Sequence, residues 1–198
     1  MNKDINEVEF TLFDTETTGL SPVAGDRVVE IAGLRFKGDQ VIDVFESFVQ
    51  TGKEISPGAF AVNKITPQML KNAPLPNEAI PNFVEFAKDS CLLSYNAIFD
   101  WDFLTNELSL IGMNLPQETE ILDILKMARR AMPGLGRYPL WFVAQTLGVE
   151  NPQEHRALAD AKMSFKVFLK LKAMLKTKGV EDFSALLNLS RIQQRCNL

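Results

Sequence analysis

The chain has 198 residues, of which 46% are hydrophobic and 23% charged, a composition typical of one globular domain. Its net charge of −4 argues against tight, non-specific binding to nucleic acid. It has no apolar run of the roughly 20 residues that span a bilayer, and no secretory signal at its start. The two cysteines, Cys91 and Cys196, form no metal-type spacing, and Cys91 in its apolar run is expected to be buried. These features predict a cytoplasmic protein without a membrane partner.

The first fifty residues predict an antiparallel meander of three strands. Apolar and β-branched residues dominate three runs, at about 8–15, 27–36 and 41–49. A Gly-Asp pair at 38–39 predicts a tight hairpin turn between the second and third strands. A region rich in Pro and Asn follows, with two predicted helical pieces at Phe60–Lys64 and Pro67–Leu70.

Further along the chain, short predicted strands alternate with helices. The strands are expected at Cys91–Ser94 and Thr119–Leu122. Helical periodicity predicts helices at about 77–88, 97–112, 123–132, 139–147, 157–176 and 180–191. This order predicts an α/β fold with a mixed central sheet, first antiparallel and then parallel, flanked by helices. We expect residues 1–178 to form one domain, with a C-terminal helix at 179–198 packed on it or appended to it.

Two acidic residues end the first predicted strand. Asp14 and Glu16 follow the apolar run that ends at Phe13, and the two-residue period of a strand points both carboxylates to the same side of the sheet. Two such close anions repel each other unless something positive compensates, and paired carboxylates suit Mg²⁺ or Mn²⁺. The pair is a candidate metal site if other segments supply further oxygen ligands.

Two further acids stand in the first turns of predicted helices, on their inward faces. Asp100 shares a stripe with Trp101 and Leu104, and Asp160 is in line with Val167. A carboxylate on an apolar face is costly unless it is paired or binds metal. An acid in a first turn also stabilises the helix dipole, so for Asp100 the sequence leaves capping and metal binding equally open.

The chain has one histidine, His155, in a predicted loop five residues before Asp160. A lone histidine is usually incidental. A loop position would nevertheless let the imidazole reach the site that Asp160 enters from its helix, where nearby divalent metal would hold its pKa low. Because a neutral imidazole can take up a proton at pH 7, His155 is the candidate general base.

Basic residues cluster in two places. The first cluster lies in a stretch broken by Gly and Pro, which is typical of a loop that could hold phosphates. Its members are Lys126, Arg129, Arg130 and Arg137. The second is a row at helical i,i+4 spacing, for which a solvated helix face is the simpler interpretation. Its members are Lys162, Lys166 and Lys170.

Three blocks of the sequence resemble the DEDDh 3′–5′ exonucleases, and among them the proofreading epsilon subunit of bacterial DNA polymerase III. The blocks are Phe13-Asp-Thr-Glu-Thr-Thr-Gly19, Asn96-Ala-Ile-Phe-Asp-Trp-Asp-Phe-Leu104 and His155-Arg-Ala-Leu-Ala-Asp-Ala161. The resemblance covers roughly residues 8–170, and the order and internal spacing of the blocks make it specific. It implies a ribonuclease-H-like fold, in agreement with the α/β interpretation, and an exonuclease domain over residues 1–178.

The resemblance also implies an activity, the metal-dependent release of nucleoside 5′-monophosphates from the 3′ end of DNA. Asp14, Glu16, Asp100 and Asp160 match the family's four metal-binding acids, which hold two Mg²⁺ or Mn²⁺ ions, and His155 matches its general base. The implied partners are single-stranded or frayed 3′ ends of DNA and, for a proofreading factor, a replicative polymerase.

Three residues are candidate substrate contacts by family likeness. The backbone near Thr17 and the side chain of Leu20 would hold or wedge the terminal nucleotide, although plain packing is an equal interpretation for Leu20. Asn63 stands near a position where family members often carry a histidine, and Tyr95 stands where they often carry a second histidine. These departures remove neither a metal ligand nor the base, but they leave the choice between DNA and RNA open.

Three other functions compete with a DNA exonuclease. Trimming of RNA 3′ ends keeps the same chemistry on another substrate. A catalytically silent module that binds nucleic acid or a polymerase would be expected to lack a ligand, and all five functional positions are present. A phosphatase whose strand ends in Asp-x-Asp is disfavoured by Glu16 and by the later His-x-x-x-x-Asp block.

Overall fold

The computed structural model describes residues 3–150 and 156–192. These residues form a five-stranded mixed sheet with the strand order β3-β2-β1-β4-β5. The strands are β1 (Glu9–Thr17), β2 (Val28–Lys37), β3 (Gln40–Phe48), β4 (Cys91–Ser94) and β5 (Ile121–Asp123). The predicted α/β fold, with an antiparallel meander followed by parallel strands, is confirmed.

β1 lies at the centre of the sheet, between two kinds of neighbour. It pairs antiparallel with β2, and β2 pairs antiparallel with β3 through the predicted hairpin. Gly38 in that turn has a φ of 64°, a left-handed conformation that glycine adopts without strain. β1 pairs in parallel with β4, and β4 in parallel with β5. The carboxyl ends of β1, β4 and β5 therefore meet at one edge of the sheet.

Within the described residues, eight α-helices surround the sheet. They are α1 (Pro57–Asn63), α2 (Pro67–Leu70), α3 (Pro76–Phe86), α4 (Ala97–Leu110), α5 (Ile124–Ala131), α6 (Leu140–Thr146), α7 (Ala157–Lys176) and α8 (Phe183–Ser190). α1 begins three residues earlier than predicted because Ser56 caps it and Pro57 fits its first turn. α8 begins three residues later than predicted because Asp182 caps it. None of the helices described here is long and apolar enough to cross a bilayer.

The helices cover the two faces of the sheet with separate hydrophobic cores. α5, α6, α7 and α8 pack on one face, where the Phe168 ring lies 5.6 Å from the Phe10 ring and 5.5 Å from the Phe36 ring. α3 and α4 pack on the other face, around Phe13 and Phe83. Alternate residues of β1 thus face different layers: Phe10 faces α7, and Phe13 faces α3 and α4.

The C-terminal helix α8 packs on the α7 side of the sheet. Leu186 of α8 is buried in that core, and the Ile192 N–H donates to the Ile121 carbonyl of β5 at 3.1 Å. Cys91 of β4 is buried in the same core, as predicted. Residues 179–192 are therefore tied to the sheet by both apolar contacts and backbone hydrogen bonds.

A buried ion pair joins α4 to the start of β2. The fully buried Glu107 side chain accepts hydrogen bonds from Arg27 Nε (2.8 Å), Arg27 Nη2 (2.7 Å) and the Val28 N–H (3.0 Å). Because Glu107→Ala leaves these donors without their partner, we expect it to lower the free energy of unfolding by about 3 kcal/mol, measured by urea unfolding. The control Glu85→Ala breaks an exposed pair with Lys88 and should cost less than about 1 kcal/mol. Equal costs would contradict the prediction.

Candidate metal centre

Three carboxylates meet beside the carboxyl end of β1. Asp14 and Glu16 lie two residues apart on this strand and, by its alternation, face the layer that contains α7. Asp160 stands in the first turn of α7. Within the described residues, one carboxylate oxygen from each of these three acids lies within 4.8 Å of the other two. The fold thus joins an early strand and a late helix in one acidic site.

The cluster raises the pKa values of its own members. Burial raises the pKa of Glu16 to about 8 from an ordinary 4.5, and the charges of Asp160 and Glu30 add to this effect. Burial also holds the pKa of Asp14 well above its usual range, with Asp100 the strongest contributor among the neighbouring charges. A positive partner is therefore needed to keep these carboxylates ionised near neutral pH.

The donor set of this cluster fits a hard divalent cation. Each of the three acids offers a carboxylate oxygen, and Mg²⁺ and Mn²⁺ prefer oxygen ligands. Without a cation, the repulsion between the three carboxylates is relieved by protonation; a bound cation offsets the same repulsion and leaves them ionised. Asp14, Glu16 and Asp160 together could therefore hold a divalent metal ion.

Asp100, the fourth predicted ligand, is held differently. It lies in the first turn of α4, in the opposite layer, and is 3% exposed. Its Oδ1 accepts hydrogen bonds from the Thr15 N–H (3.0 Å) and hydroxyl (2.7 Å), and its Oδ2 accepts one from the Ser94 hydroxyl (2.5 Å). Burial raises the pKa of Asp100 to about 6, against the effect of these bonds. Among the described acids, Asp100 is not part of the group within 4.8 Å, although Oδ2 keeps room for one more partner.

His155, the predicted general base, lies outside the described residues. The next residue, Arg156, donates from Nη2 to Glu30 Oε1 at 2.6 Å and from Nε to Glu30 Oε2 at 3.1 Å. Glu30 is fully buried on β2, and the guanidinium lies 4.8 Å from the centre of the Phe48 ring. These contacts fix the start of α7 against the sheet, one turn before Asp160.

The three predicted substrate contacts differ in exposure. Leu20 is 85% exposed, so the packing interpretation does not apply and its side chain is available to a ligand. Thr17 and Asn63 are buried. Asn63 Nδ2 donates to the Thr17 carbonyl at 3.2 Å, and a hydrogen bond from the Asn63 side chain lowers the pKa of Glu16. Asn63 therefore holds the end of β1 in place, directly beside the acids.

The turn that follows β1 requires glycine. A Cβ on Gly19 would lie 2.3 Å from Oδ2 of Asp26, closer than any real contact. That carboxylate is itself fixed, because it accepts hydrogen bonds from the Thr18 hydroxyl at 3.1 Å and the Ser21 N–H at 3.1 Å. The Thr-Thr-Gly segment thus folds into one rigid turn, and the exposed Leu20 directly follows it.

Four residues that position the acids were not predicted from the sequence. They are Thr15, Glu30, Ser94 and Arg156. Glu30 carried a usable signal, because it is an acid in the middle of an apolar run on β2. Ser94 carried none, since a serine at the end of a buried strand is ordinary.

We expect Arg156→Ala to weaken Mn²⁺ binding by about 10–100-fold, the usual effect of removing a residue that orients metal ligands. The variant leaves Glu30 buried without its partner and releases the start of α7, which carries Asp160. Calorimetric titration measures the affinity. Adding Glu30→Gln to this variant removes the uncompensated buried charge and should restore part of the lost Mn²⁺ affinity. Unchanged affinity in Arg156→Ala would rule out the positioning role.

Curated relatives of this chain include proteins named as DNA polymerase III. It is 35% identical over 178 residues to DNA polymerase III PolC-type of Caldanaerobacter subterraneus subsp. tengcongensis, which is 90% of this chain and 12% of that protein. It is 34% identical over 187 residues to a DNA polymerase III subunit epsilon-like protein of Rhodobacter capsulatus, which is 92% of this chain and 26% of that protein. The chain therefore spans a minor part of the length of these relatives.

Solved structures of exonucleases share the fold. Exonuclease X in complex with 5′ overhanging duplex DNA superimposes with a TM-score of 0.70 and 24% identity, covering 91% of this chain and 98% of that one. E. coli exonuclease I in complex with a dT13 oligonucleotide gives a TM-score of 0.76 and 21% identity, covering 87% and 43%. The predicted ribonuclease-H-like architecture is confirmed.

A family model also matches most of the chain. The RNase_T exonuclease model aligns with residues 11–168, from β1 into α7. The matched segment includes every acid of the cluster as well as Asp100. The chain therefore belongs to this exonuclease family, as its three sequence blocks predict.

Proposed function

We propose that the protein is a metal-dependent 3′–5′ exonuclease that hydrolyses DNA from its 3′ end and releases nucleoside 5′-monophosphates. The observation that carries this proposal is the meeting of Asp14, Glu16 and Asp160 at one edge of the sheet, in a chain of the exonuclease family. A silent binding module would have no need for three mutually repelling acids, since their convergence destabilises the metal-free protein.

The acids act as ligands in this proposal. Asp14, Glu16 and Asp160 would hold two divalent cations, Mg²⁺ or Mn²⁺, and Asp100 would contribute through Oδ2, its less occupied oxygen. When bound, such ions neutralise charge on a scissile phosphate. The hydrogen bonds from Thr15 and the Ser94 hydroxyl fix the Asp100 carboxylate in advance, so that no side-chain ordering is required when substrate binds.

His155 is the proposed general base. Its neutral imidazole would accept a proton from the attacking water. The bidentate contact between Arg156 and Glu30 supports this role, because it anchors the backbone directly after His155 against β2. Leu20, exposed after the rigid turn, is proposed to contact the terminal nucleotide, with Thr17 held in place by Asn63.

DNA is the proposed substrate, and the cytoplasm the proposed location. The curated relatives are named as DNA polymerase III proteins, and the structures of two structural neighbours were solved in complex with DNA. A replicative polymerase is a proposed partner on the same basis. Trimming of RNA ends has no comparable support and becomes an outcome of the test.

The experiment compares DNA and RNA oligonucleotides that carry a label at either end. With Mg²⁺ or Mn²⁺, the 3′ label of single-stranded DNA should leave first as a mononucleotide, while the 5′ label persists in a shortening ladder. Faster loss of RNA would move the substrate to RNA ends. Degradation of neither by wild type would support a silent module, and full activity in Asp14→Ala would reject the metal assignment.

A further inference from the structure

One stretch of the chain differs from the rest in charge. Residues 124–149 form the longest stretch without an acidic residue, in a sequence with 25 acids and a net charge of −4. Arg129, Arg130 and Arg137 are exposed there. None of the three forms an ion pair within residues 3–150 and 156–192. Exposed cations without acidic partners favour an anionic ligand.

Aromatic rings accompany these arginines. The Arg137 guanidinium lies 4.5 Å from the centre of the Phe142 ring and 5.0 Å from that of Trp141. Arg129 lies 5.9 Å from the centre of the Tyr138 ring. Trp141 is 43% exposed. A stacked guanidinium keeps its N–H groups free for phosphate oxygens, and an exposed indole can stack on a base.

An open hollow lies beside these rings. It has a volume of about 470 Å³ and is lined by Gly134, Leu135, Gly136, Arg137 and Phe142. A Cβ at either glycine would meet nothing within 4 Å, so the backbone borders open space. A hollow with an aromatic wall and a guanidinium at its rim suits a flat heterocycle joined to a phosphate.

The fold does not use the three arginines or Trp141 for packing. α5 buries Met127 and Ala128 in the core on the α7 side of the sheet, and α6 buries Val143 and Ala144 in the same core. The arginines and Trp141 lie on the solvent side of the same segments. Their arrangement is therefore free to serve a ligand.

A hydrogen bond ties this region to the edge of the sheet that carries the acids. The Tyr95 hydroxyl donates to the Tyr138 carbonyl at 2.6 Å. β1 and β4 pair Leu12 with Leu93. Asp14 lies two residues beyond that pair on β1, and Tyr95 lies two residues beyond it, directly after the end of β4. Both tyrosines pack against the α7-side core, which is the layer that Asp14 faces. The Tyr138 ring faces Arg129 and Tyr138 directly follows Arg137, so this hydrogen bond links the arginines to the residue that follows β4.

We propose that Arg129, Arg130, Arg137, Trp141 and Phe142, the arginine–tryptophan surface, bind the single-stranded DNA upstream of the 3′-terminal nucleotide. The arginines contact phosphates, and Trp141 stacks on a base. The proposal rests on the proposed function and extends it. The acids act on the terminal phosphodiester bond, and the arginine–tryptophan surface holds the strand that follows.

Substrate length separates the two roles. The p-nitrophenyl ester of thymidine 5′-monophosphate has no upstream strand, whereas an oligothymidylate of about 20 nucleotides covers a typical single-strand binding site. Trp141→Ala, and the triple variant Arg129→Gln, Arg130→Gln, Arg137→Gln, should hydrolyse the ester like wild type. Their KM for the oligonucleotide should rise about 10-fold.

Binding without catalysis gives an independent readout. Fluorescence anisotropy of the labelled oligothymidylate in EDTA should show a Kd about 10-fold higher in both variants. In the triple variant the slope of log affinity against log salt should also fall by about 2, since each lost phosphate contact contributes about 0.7 on single strands. This measurement decides the inference even if wild type cleaves nothing, which would overturn only the proposed function.

The control removes the same charge from the opposite edge of the sheet. Lys37 ends β2, Lys88 precedes β4 and Lys176 ends α7, and all three are exposed. Changing these three lysines to Gln should leave the Kd within about twofold of wild type. An equal loss in this control, or an unchanged Kd in both surface variants, would overturn the proposal.

Discussion

Glu16→Gln is expected to abolish nuclease turnover and, at the same time, to stabilise the metal-free protein. Turnover should fall by about 10³-fold or more, because the variant removes a proposed metal ligand from the reaction centre. Stability should rise because three carboxylates lie within 4.8 Å of one another, and a neutral amide of the same shape relieves their repulsion. Loss of function and gain of stability in one variant distinguish a functional acid from a structural one.

The stabilisation should depend on pH in a defined direction. The pKa of Glu16 is about 8 in the folded protein and 4.5 ordinarily. Because the pKa of Glu16 is higher in the folded than in the unfolded protein, folding takes up a proton. The stability that wild type owes to a protonated Glu16 is therefore fully present below about pH 4.5 and is lost as the pH rises through about 8. In EDTA, wild type and Glu16→Gln should therefore melt alike near pH 4.5, and the variant should melt several degrees higher above pH 8.

Thermal melts with and without metal complete this test. Mg²⁺ or Mn²⁺ should raise the Tm of wild type more than that of Glu16→Gln, since only wild type keeps the full ligand set. Glu54→Gln changes an exposed carboxylate and should follow wild type at every pH. A Glu16→Gln variant that melts below wild type at pH 8 in EDTA would show that Glu16 has a stabilising partner rather than a repulsive one.

His155→Ala is expected to lower turnover by about 10²–10⁴-fold while metal binding survives, because proton transfer by a positioned base contributes about that much to the rate. Steady-state kinetics with single-stranded DNA measure turnover, and calorimetric titration with Mn²⁺ measures binding. The two readouts separate this variant from Arg156→Ala, for which metal affinity itself should fall.

A pH–rate profile tests the same role in wild type. The rate should rise as the imidazole loses its proton and then level off. His155→Ala should lose this rise. A wild-type profile that is flat between about pH 5 and about pH 9 would argue against His155 as the base.

The secondary structure was largely predictable because its signals are local. The 20-residue helix α7 has its predicted limits, since one apolar stripe runs along its whole length. The starts of α1 and α8 were placed less well, because Ser56 and Asp182 are capping residues whose side-chain hydrogen bonds decide where a helix begins. Periodicity identifies a helix more reliably than it identifies its ends.

The acids of the site were predicted as a set, but their unequal geometry was not. Asp14, Glu16 and Asp160 converge, whereas Asp100 forms hydrogen bonds to Thr15 and Ser94. Position on a helix face gives the direction of a side chain. It does not show which donors the neighbouring strands will present to it.

The sequence by itself determined the strands and helices of this protein and its family, and it singled out the acids and the histidine of the proposed site. Those properties depend on residue types at fixed short spacings, which can be recognised in the sequence without knowledge of the fold. Only the tertiary structure decided that Glu30 pairs with Arg156 across 126 positions of chain, and that Tyr95, after β4, forms a hydrogen bond to Tyr138 beside the exposed Arg137. Such contacts depend on strand order and register, which follow from the packing of the whole core.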